Sequence, residues 1–482
     1  MRTDLGTPAA PADPNRLPVT RGRLLDFPDD PASCMRDLYR THGEIAALEE
    51  GNQRLVFAFG PRYNHAVLSD PQTFHSRFFP IRGSRNSAQR RLTSGLLNMN
   101  GDEHKRHRRM VAAPFQRSSI ANYQGGIIEL AKSMVWEWKA GEVRNISRDM
   151  NEYMLRVTSS LLFGFDHHEL SYDIGHATER WVAMNHSVGM GAFVADGRTS
   201  ESYAELLDCA DELESLIRRM IEVRRSTPPG NDVLSLLLQA RDENGDGMTD
   251  GELIGQAAVL FGAAHLTTAH TLTWALFLLS QHPQVAGDLV AELKGTLHDA
   301  APTPEQLERM PLLGRILKES MRVLSASAYS QRVAAEDVQL GPFALRKGEV
   351  VIFSPFVTHH MAELYERPDR FLPQRWETLA PAPYSYIPFA SGPRLCLGSA
   401  LAMMTIKTTL PIILQRFRLS VVPGSRIDAR VIATMLAPTS GMPMNVTSAT
   451  GHFSAPPVEG SIHELVDLYS GEESDVGVSR AA

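Results

Sequence analysis

One stretch constrains the fold before any other is read. From Thr249, three residues ahead of Glu252 in the spacing of a capping box, a helical pattern runs to about Gln281, where His282-Pro283 ends it. Such a helix has about 30 residues and a length of about 45 Å. It is apolar nearly all round, through Ala257-Ala258-Val259-Leu260-Phe261 and Trp274-Ala275-Leu276-Phe277-Leu278-Leu279, so no face is left for water. The rest of the chain must wrap it, which predicts a large, mostly helical body with this helix at its centre. The 482 residues suffice for one large domain or three ordinary ones. No internal repeat and no Ser/Gly-rich spacer divides them, which favours one domain.

Around that helix the chain reads in order as follows. Residues 1–30 are an irregular lead-in, and the domain is expected over 31–450. A short helix over 34–42 closes at Gly43, a strand follows over 54–59, and a helix over 64–68. Residues 74–97 form a polar loop with Arg77, Arg82, Arg85, Arg90 and Arg91, more often a solvated basic loop than a receptor for an acidic group. Gly101-Asp102 opens a helix that carries His104 and Arg108 four residues apart on one face. Residues 131–225 are largely helical, with a break at 189–197 around Met190 and Phe193. Asp242 to Gly247 mimics the start of a calcium loop, but Leu253 stands where the bidentate Glu is needed, so a polar turn is expected. Strands are predicted within 338–358, and edge strands over 417–422 and 442–446. The acidic, turn-rich tail over 451–482 is expected to be loose.

Composition narrows the function. Cys34, Cys209 and Cys396 are the only cysteines, too few and odd in number for a disulfide scaffold, so a cytoplasmic protein is expected. No early apolar run is long enough for a signal peptide or a membrane span. A net charge of −7 without a basic, aromatic-interleaved stretch sets nucleic acid aside.

The chemistry concentrates in Phe389-Ala390-Ser391-Gly392-Pro393-Arg394-Leu395-Cys396-Leu397-Gly398. Gly392 and Gly398 would let the backbone bend tightly, and a helix over Ser399–Arg416 would aim its N-terminus at Cys396. Free N–H groups there would favour the thiolate that a metal ligand must be. This F-x-x-G-x-R-x-C-x-G pattern resembles the haem-binding loop of the cytochrome P-450 family, all five fixed positions being present.

The resemblance implies a mainly α fold with a small β region, in which haem b (iron protoporphyrin IX) is held by Cys396. Phe389, Gly398 and Ala263 would be further haem-binding residues. His104, Arg108, Arg332 and Arg394 would take the propionates, leaving Lys105, Arg106 and Arg109 to meet an acidic electron donor. Ala263-Ala264-His265-Leu266-Thr267-Thr268 aligns with the family's A-G-x-(D/E)-T-T, in which Thr267 keeps the catalytic hydroxyl. Ala264 replaces the glycine and Leu266 the acid. His265 and His270 read as core histidines rather than proton relays. Glu319 and Arg322 match E-x-x-R, and Arg370, in Pro368-Asp369-Arg370-Phe371, would complete a buried charge network. The small residues of 325–330 would line the substrate pocket. The activity implied is insertion of one oxygen atom of O2 into a small organic molecule of secondary metabolism. A separate ferredoxin and its NAD(P)H-dependent reductase would supply electrons. The loss of the acid at Leu266 leaves open peroxide-driven oxidation, coupling or rearrangement at the same haem, and a non-catalytic haem sensor is the further alternative.

Overall fold

In the computed structural model, which describes residues 16–191 and 198–468, the helix Asp250–Gln281 lies at the centre, as its composition demands. Its capping box is formed: Thr249 Oγ1 accepts the Glu252 N–H at 3.3 Å, and the Glu252 carboxylate accepts the Thr249 N–H at 2.7 Å. Helices Ile146–Phe163, His168–Gly191, Arg198–Ser226, Pro311–Val323 and Ser399–Arg416 pack around it. Its two halves lie in different apolar clusters. Val259 and Phe261 belong to one with Trp181 and Leu213, while Trp274 and Phe277 belong to one with Leu317 and Leu410. Between them, on a helix otherwise buried beyond its first turn, Ala263 is exposed and Gly262, Ala264, Leu266 and Thr267 are half-exposed. This turn therefore borders an inner space where the two clusters part.

The β region is small and mixed. Six strands run in the order Val19–Arg21, Ile45–Glu50, Gln53–Ala58, Val350–Phe353, Ser330–Ala334, Phe74–His75. A second sheet places Pro443–Ser448 between Phe417–Val421 and Val143–Asn145, so the strand expected at 442–446 is central rather than an edge. The stretch 338–358 holds a tight hairpin, Val338–Leu340 with Phe343–Leu345 turning at Gly341 (φ 62°), then Val350–Phe353 and a helix, Pro355–His359.

Three boundaries differ from expectation. Within the lead-in, Val19–Arg21 pairs with Ile45–Glu50, and Leu17 and Phe27 are buried. The supposed tail contributes Val458, Ile462, Leu465 and Val466 to the core, so the domain runs on past 450. A few apolar residues suffice to dock a polar segment, and average composition hides them. The polar loop 74–97 contains the strand Phe74–His75 and the helix Ala88–Leu92, capped by Ser87. Met190 lies in the helix ending at Gly191, while Phe193 and most of the expected break fall outside the described residues.

Candidate functional site

The cysteine loop is built as its glycine spacing suggests, with one change. Gly392 adopts φ 69°, and a Cβ there would sit 2.5 Å from the Leu68 carbonyl oxygen, so only glycine fits. Gly398 has φ −86° and needs no such freedom; the second left-handed residue is Ala390, at φ 57°. Cys396 N–H donates to the Phe389 carbonyl at 2.9 Å and closes the loop. The helix Ser399–Arg416 follows directly. Cys396 is exposed in area yet crowded by protein. That burial pushes its thiol up, and the N–H groups of Gly398 and Ser399 and the Arg108 guanidinium pull it back toward the thiolate.

Beside this thiol lies a cluster of cations. Arg108, on the helix Gly101–Met110, donates to the Leu395 carbonyl at 2.6 Å. Arg394 donates to the carbonyls of Leu96 and Met99 and to Asn100 Oδ1, while its Nε is buried without a partner. Arg332 donates to the Gln331 carbonyl and stacks over Phe353 at 5.1 Å. These bonds go to carbonyls and an amide, and none goes to a carboxylate. Burial, then Arg394, lowers Arg332 to about 10; burial, then Arg108, lowers Arg394 to about 10. His104 falls to about 4 through burial and the three arginines. Buried cations that repel one another and keep an orphaned N–H are a receptor for anions. Two carboxylates of a haem, with its iron on Cys396, fit these residues.

The other basic residues of that helix are engaged within the chain. Arg106 bonds Asp242 at 2.6 Å and Glu252 at 3.1 Å, Lys105 bonds Asp102, and Arg109 bonds Glu243. Arg106 is thus a strut to the polar turn, and not the free partner-facing charge expected of it. His107, unremarked in the sequence, is buried against Glu252 and Gln256.

On the central helix, Thr267 Oγ1 donates to the Ala263 carbonyl at 2.8 Å, which leaves its lone pairs free to accept. His265 turns away: its Nε2 meets the Asn151 carbonyl at 3.0 Å and its Nδ1 lies 3.4 Å from Glu179. His270 is buried, its Nδ1 without a partner, and burial, then His265, lowers it to about 4. Both are buried in the core, but only His265 is satisfied there.

The charge network forms, with a different arginine. Glu319 Oε1 accepts from Arg322 at 2.8 Å, from Arg375 Nε at 2.9 Å and from the Leu372 N–H at 2.9 Å; Oε2 accepts from Arg322 Nε and Trp376 Nε1. Arg370 supplies its main-chain carbonyl to Arg322 at 2.8 Å, and its Nε lies 3.8 Å from Asp467. The sequence holds two P-x-R-aromatic runs, Pro368 to Phe371 and Pro373 to Trp376, and the second is the one whose guanidinium reaches Glu319. Burial raises Glu319, but Arg322 and Arg375 overcome it and hold the carboxyl below its usual value.

Ser325, expected at the substrate pocket, is buried instead, bonding the Met321 carbonyl at 2.7 Å and His359 Nδ1 at 3.0 Å. His359 Nε2 accepts the Ile387 N–H at 2.9 Å, which fixes the proton on Nδ1 and ties this turn to the run leading into Phe389. Ser327 and Ser330 remain half-exposed.

The sequence matches the family described as Cytochrome P450 over residues 11–442. It is similar to the cyclooctat-9-en-7-ol 5-monooxygenase of Streptomyces melanosporofaciens, 29% identical over 399 residues that cover 80% of this chain and 84% of that one. It is also similar to the pentalenene oxygenase of Streptomyces avermitilis, 26% identical over 436 residues, covering 88% and 94%. Among solved structures, the cytochrome P450DA heme domain superposes with a TM-score of 0.78 at 25% identity over 91% of this chain and 99% of that one. Retinoic acid bound cyanobacterial CYP120A1 shares the fold, with a TM-score of 0.76 at 21% identity over 90% and 99%.

Proposed function

Because the chain belongs to the cytochrome P450 family of haem-iron monooxygenases, we propose that it places one oxygen atom of O2 on a small, largely apolar metabolite, by hydroxylation or epoxidation. The observation that carries this reading is the juxtaposition of an accessible Cys396 with arginines whose bonds, among the described residues, go to carbonyls and an amide rather than to carboxylates. Haem, when bound, supplies the activation of dioxygen and the electron-accepting iron.

The chain's own residues do the rest. Cys396 ligates, with the Gly398 and Ser399 N–H groups steadying its charge. His104, Arg108, Arg332 and Arg394 would hold the propionates, and Phe389, Gly398 and Ala263 would contact the ring. Thr267 orders water beside the oxygen site through its free lone pairs. Names of the relatives point to cyclic terpenoids as the substrate class, in secondary metabolism. The family works with redox partners, and a ferredoxin with its NAD(P)H-dependent reductase is the electron source proposed here. No described helix is long and apolar enough to cross a membrane.

The test is the carbon monoxide difference spectrum of the reduced protein, followed by a screen of terpenoid alcohols and hydrocarbons for spin-state shifts. A thiolate-type band that Cys396→Ser abolishes supports the reading. A band that survives in the variant overturns it.

Leu266 favours one competing reading. With no carboxylate on the exposed turn, and His265 facing Asn151 and Glu179, proton supply is poor and peroxide-driven oxidation or rearrangement gains weight. Product labelled from 18O2 in a ferredoxin system decides for monooxygenation.

A further inference from the structure

Segment 76–98 reaches all the parts that enclose the inner space. Leu96 accepts from Arg394 of the cysteine loop, and the Leu96 N–H donates to Gln256 of the central helix at 3.2 Å. The helix His168–Gly191 closes the same space from another side, since a Cβ on Gly262, next to Ala263, would lie 3.3 Å from Val182 Cγ2.

The two parts of the cover are joined by a buried polar cluster. Gln89 Nε2 donates to the Ile81 carbonyl at 2.8 Å and to Asn185 Oδ1 at 2.7 Å. Its Oε1 accepts the Trp181 indole N–H at 2.7 Å, and Asn185 Nδ2 donates to the Trp181 carbonyl at 2.8 Å. Gln89 and Trp181 are fully buried and Asn185 is 2% exposed, amid Phe79, Ala88 and Leu92. Three further ties fix the same segment. Arg91 bonds the buried Glu214 at 2.7 Å, Asn98 Oδ1 accepts the N–H groups of Phe78 and Phe79, and Gly95 meets Gly255 so closely that a Cβ would lie 2.2 Å from its carbonyl oxygen.

The Gln89 amide nitrogen donates to Ile81 and Asn185, and its oxygen takes the indole N–H of Trp181, so the amide and the indole are both satisfied within this cluster. The bond to Ile81 lies within segment 76–98 and travels with it, but swinging the segment outward would break the bonds to Asn185 and Trp181 together and leave Asn185 Oδ1 and the indole N–H unpaired in apolar surroundings. We propose that Gln89, Trp181 and Asn185 are positioning residues that keep segment 76–98 closed on the helix His168–Gly191, so that this enzyme selects substrate with a preformed cover. Phe78 and Ile81, half-buried on the held segment, then present one fixed apolar outline. The selectivity for substrate rests on the function proposed above; the closed cover does not.

The experiment uses the full haem-loaded chain, with Gln89→Met to remove the amide while keeping its length. Amide hydrogen exchange over 76–98 is expected to be as slow as in the central helix for the wild type, and faster by about tenfold or more in the variant. Clotrimazole, a bulky azole, should bind the variant about tenfold faster, while free imidazole changes less than about twofold and haem content stays the same. If Gln89→Met does not accumulate, Trp181→Phe removes the indole N–H alone and should give the same pattern. Unchanged exchange and an unchanged clotrimazole-to-imidazole ratio overturn the proposal. The exchange arm does not depend on haem ligation, so loss of the thiolate band would count against the proposed function and leave this inference to be decided by exchange.

Discussion

A guanidinium taken out of water without a carboxylate is held at a cost, and Arg332, buried, and Arg394, half-buried, are held so beside each other. Each charged hydrogen bond to a propionate contributes on the order of 1.5–3 kcal/mol, so Arg332→Ala should weaken haem retention without abolishing it. Haem transfer to an acceptor globin measures this, and a transfer rate equal to wild type would remove Arg332 from the site. Arg375 plays a different part. It completes a carboxylate whose other bonds come from Arg322, Leu372 and Trp376, and Arg375→Ala should cost about 3 kcal/mol or more in thermal unfolding. Arg370→Ala removes none of the bonds to Glu319 and keeps the carbonyl that Arg322 uses. Arg375→Ala with wild-type thermal stability would contradict the assignment. At Leu266, the proton shortage predicts that Leu266→Glu lowers peroxide released per NAD(P)H oxidised and that Thr267→Ala raises it. Coupling that is the same in all three proteins would make the Thr267 hydroxyl structural.

Taken as an element, the helix Asp250–Gln281 carries two opposed demands, burial along its length and one open turn for chemistry. Burial has a pH signature through His270. Its ordinary value of 6.5 is lowered to about 4, so the unfolded chain binds the proton first. The stabilisation from keeping it neutral is complete above about pH 6.5 and is lost as pH falls toward 4. His270→Leu should flatten that fall, with a difference of about 2–3 kcal/mol at pH 4.5 relative to pH 7. Urea unfolding across this range checks it, and parallel curves for the two proteins would refute it. The helix was legible in the sequence because its evidence is local: a capping box, an unbroken apolar surface and His282-Pro283 at the stop. The helix Ala88–Leu92 was obscured by arginines, which here make long-range ties such as Arg91 to Glu214.

For the whole molecule, the segment after 450 behaves as part of the domain. Val458, Ile462, Leu465 and Val466 are buried in the main core, and the Asp467 N–H donates to the Asp369 carbonyl at 2.8 Å. At about 1.5–3 kcal/mol for each buried side chain, a chain ending at Thr450 should lose well over 5 kcal/mol and fail to accumulate folded. Recovery of the truncated chain with wild-type thermal stability would show the segment to be ornamental. The sequence by itself determined the central helix, the cysteine loop with its following helix, the i,i+4 pair His104 and Arg108 and the i,i+3 pair Glu319 and Arg322. Each depends on residues close in the chain, where spacing alone sets direction. Only the tertiary structure decided which of two arginines reaches Glu319, whether Ser325 faces the pocket or His359, that Arg106 is spent on Asp242, and that Gln89 meets Trp181 and Asn185. Those outcomes join residues that lie between 34 and 136 positions apart. At such separations the partner is chosen by how helices pack and which polar groups would otherwise be buried unpaired, and no local pattern records that choice.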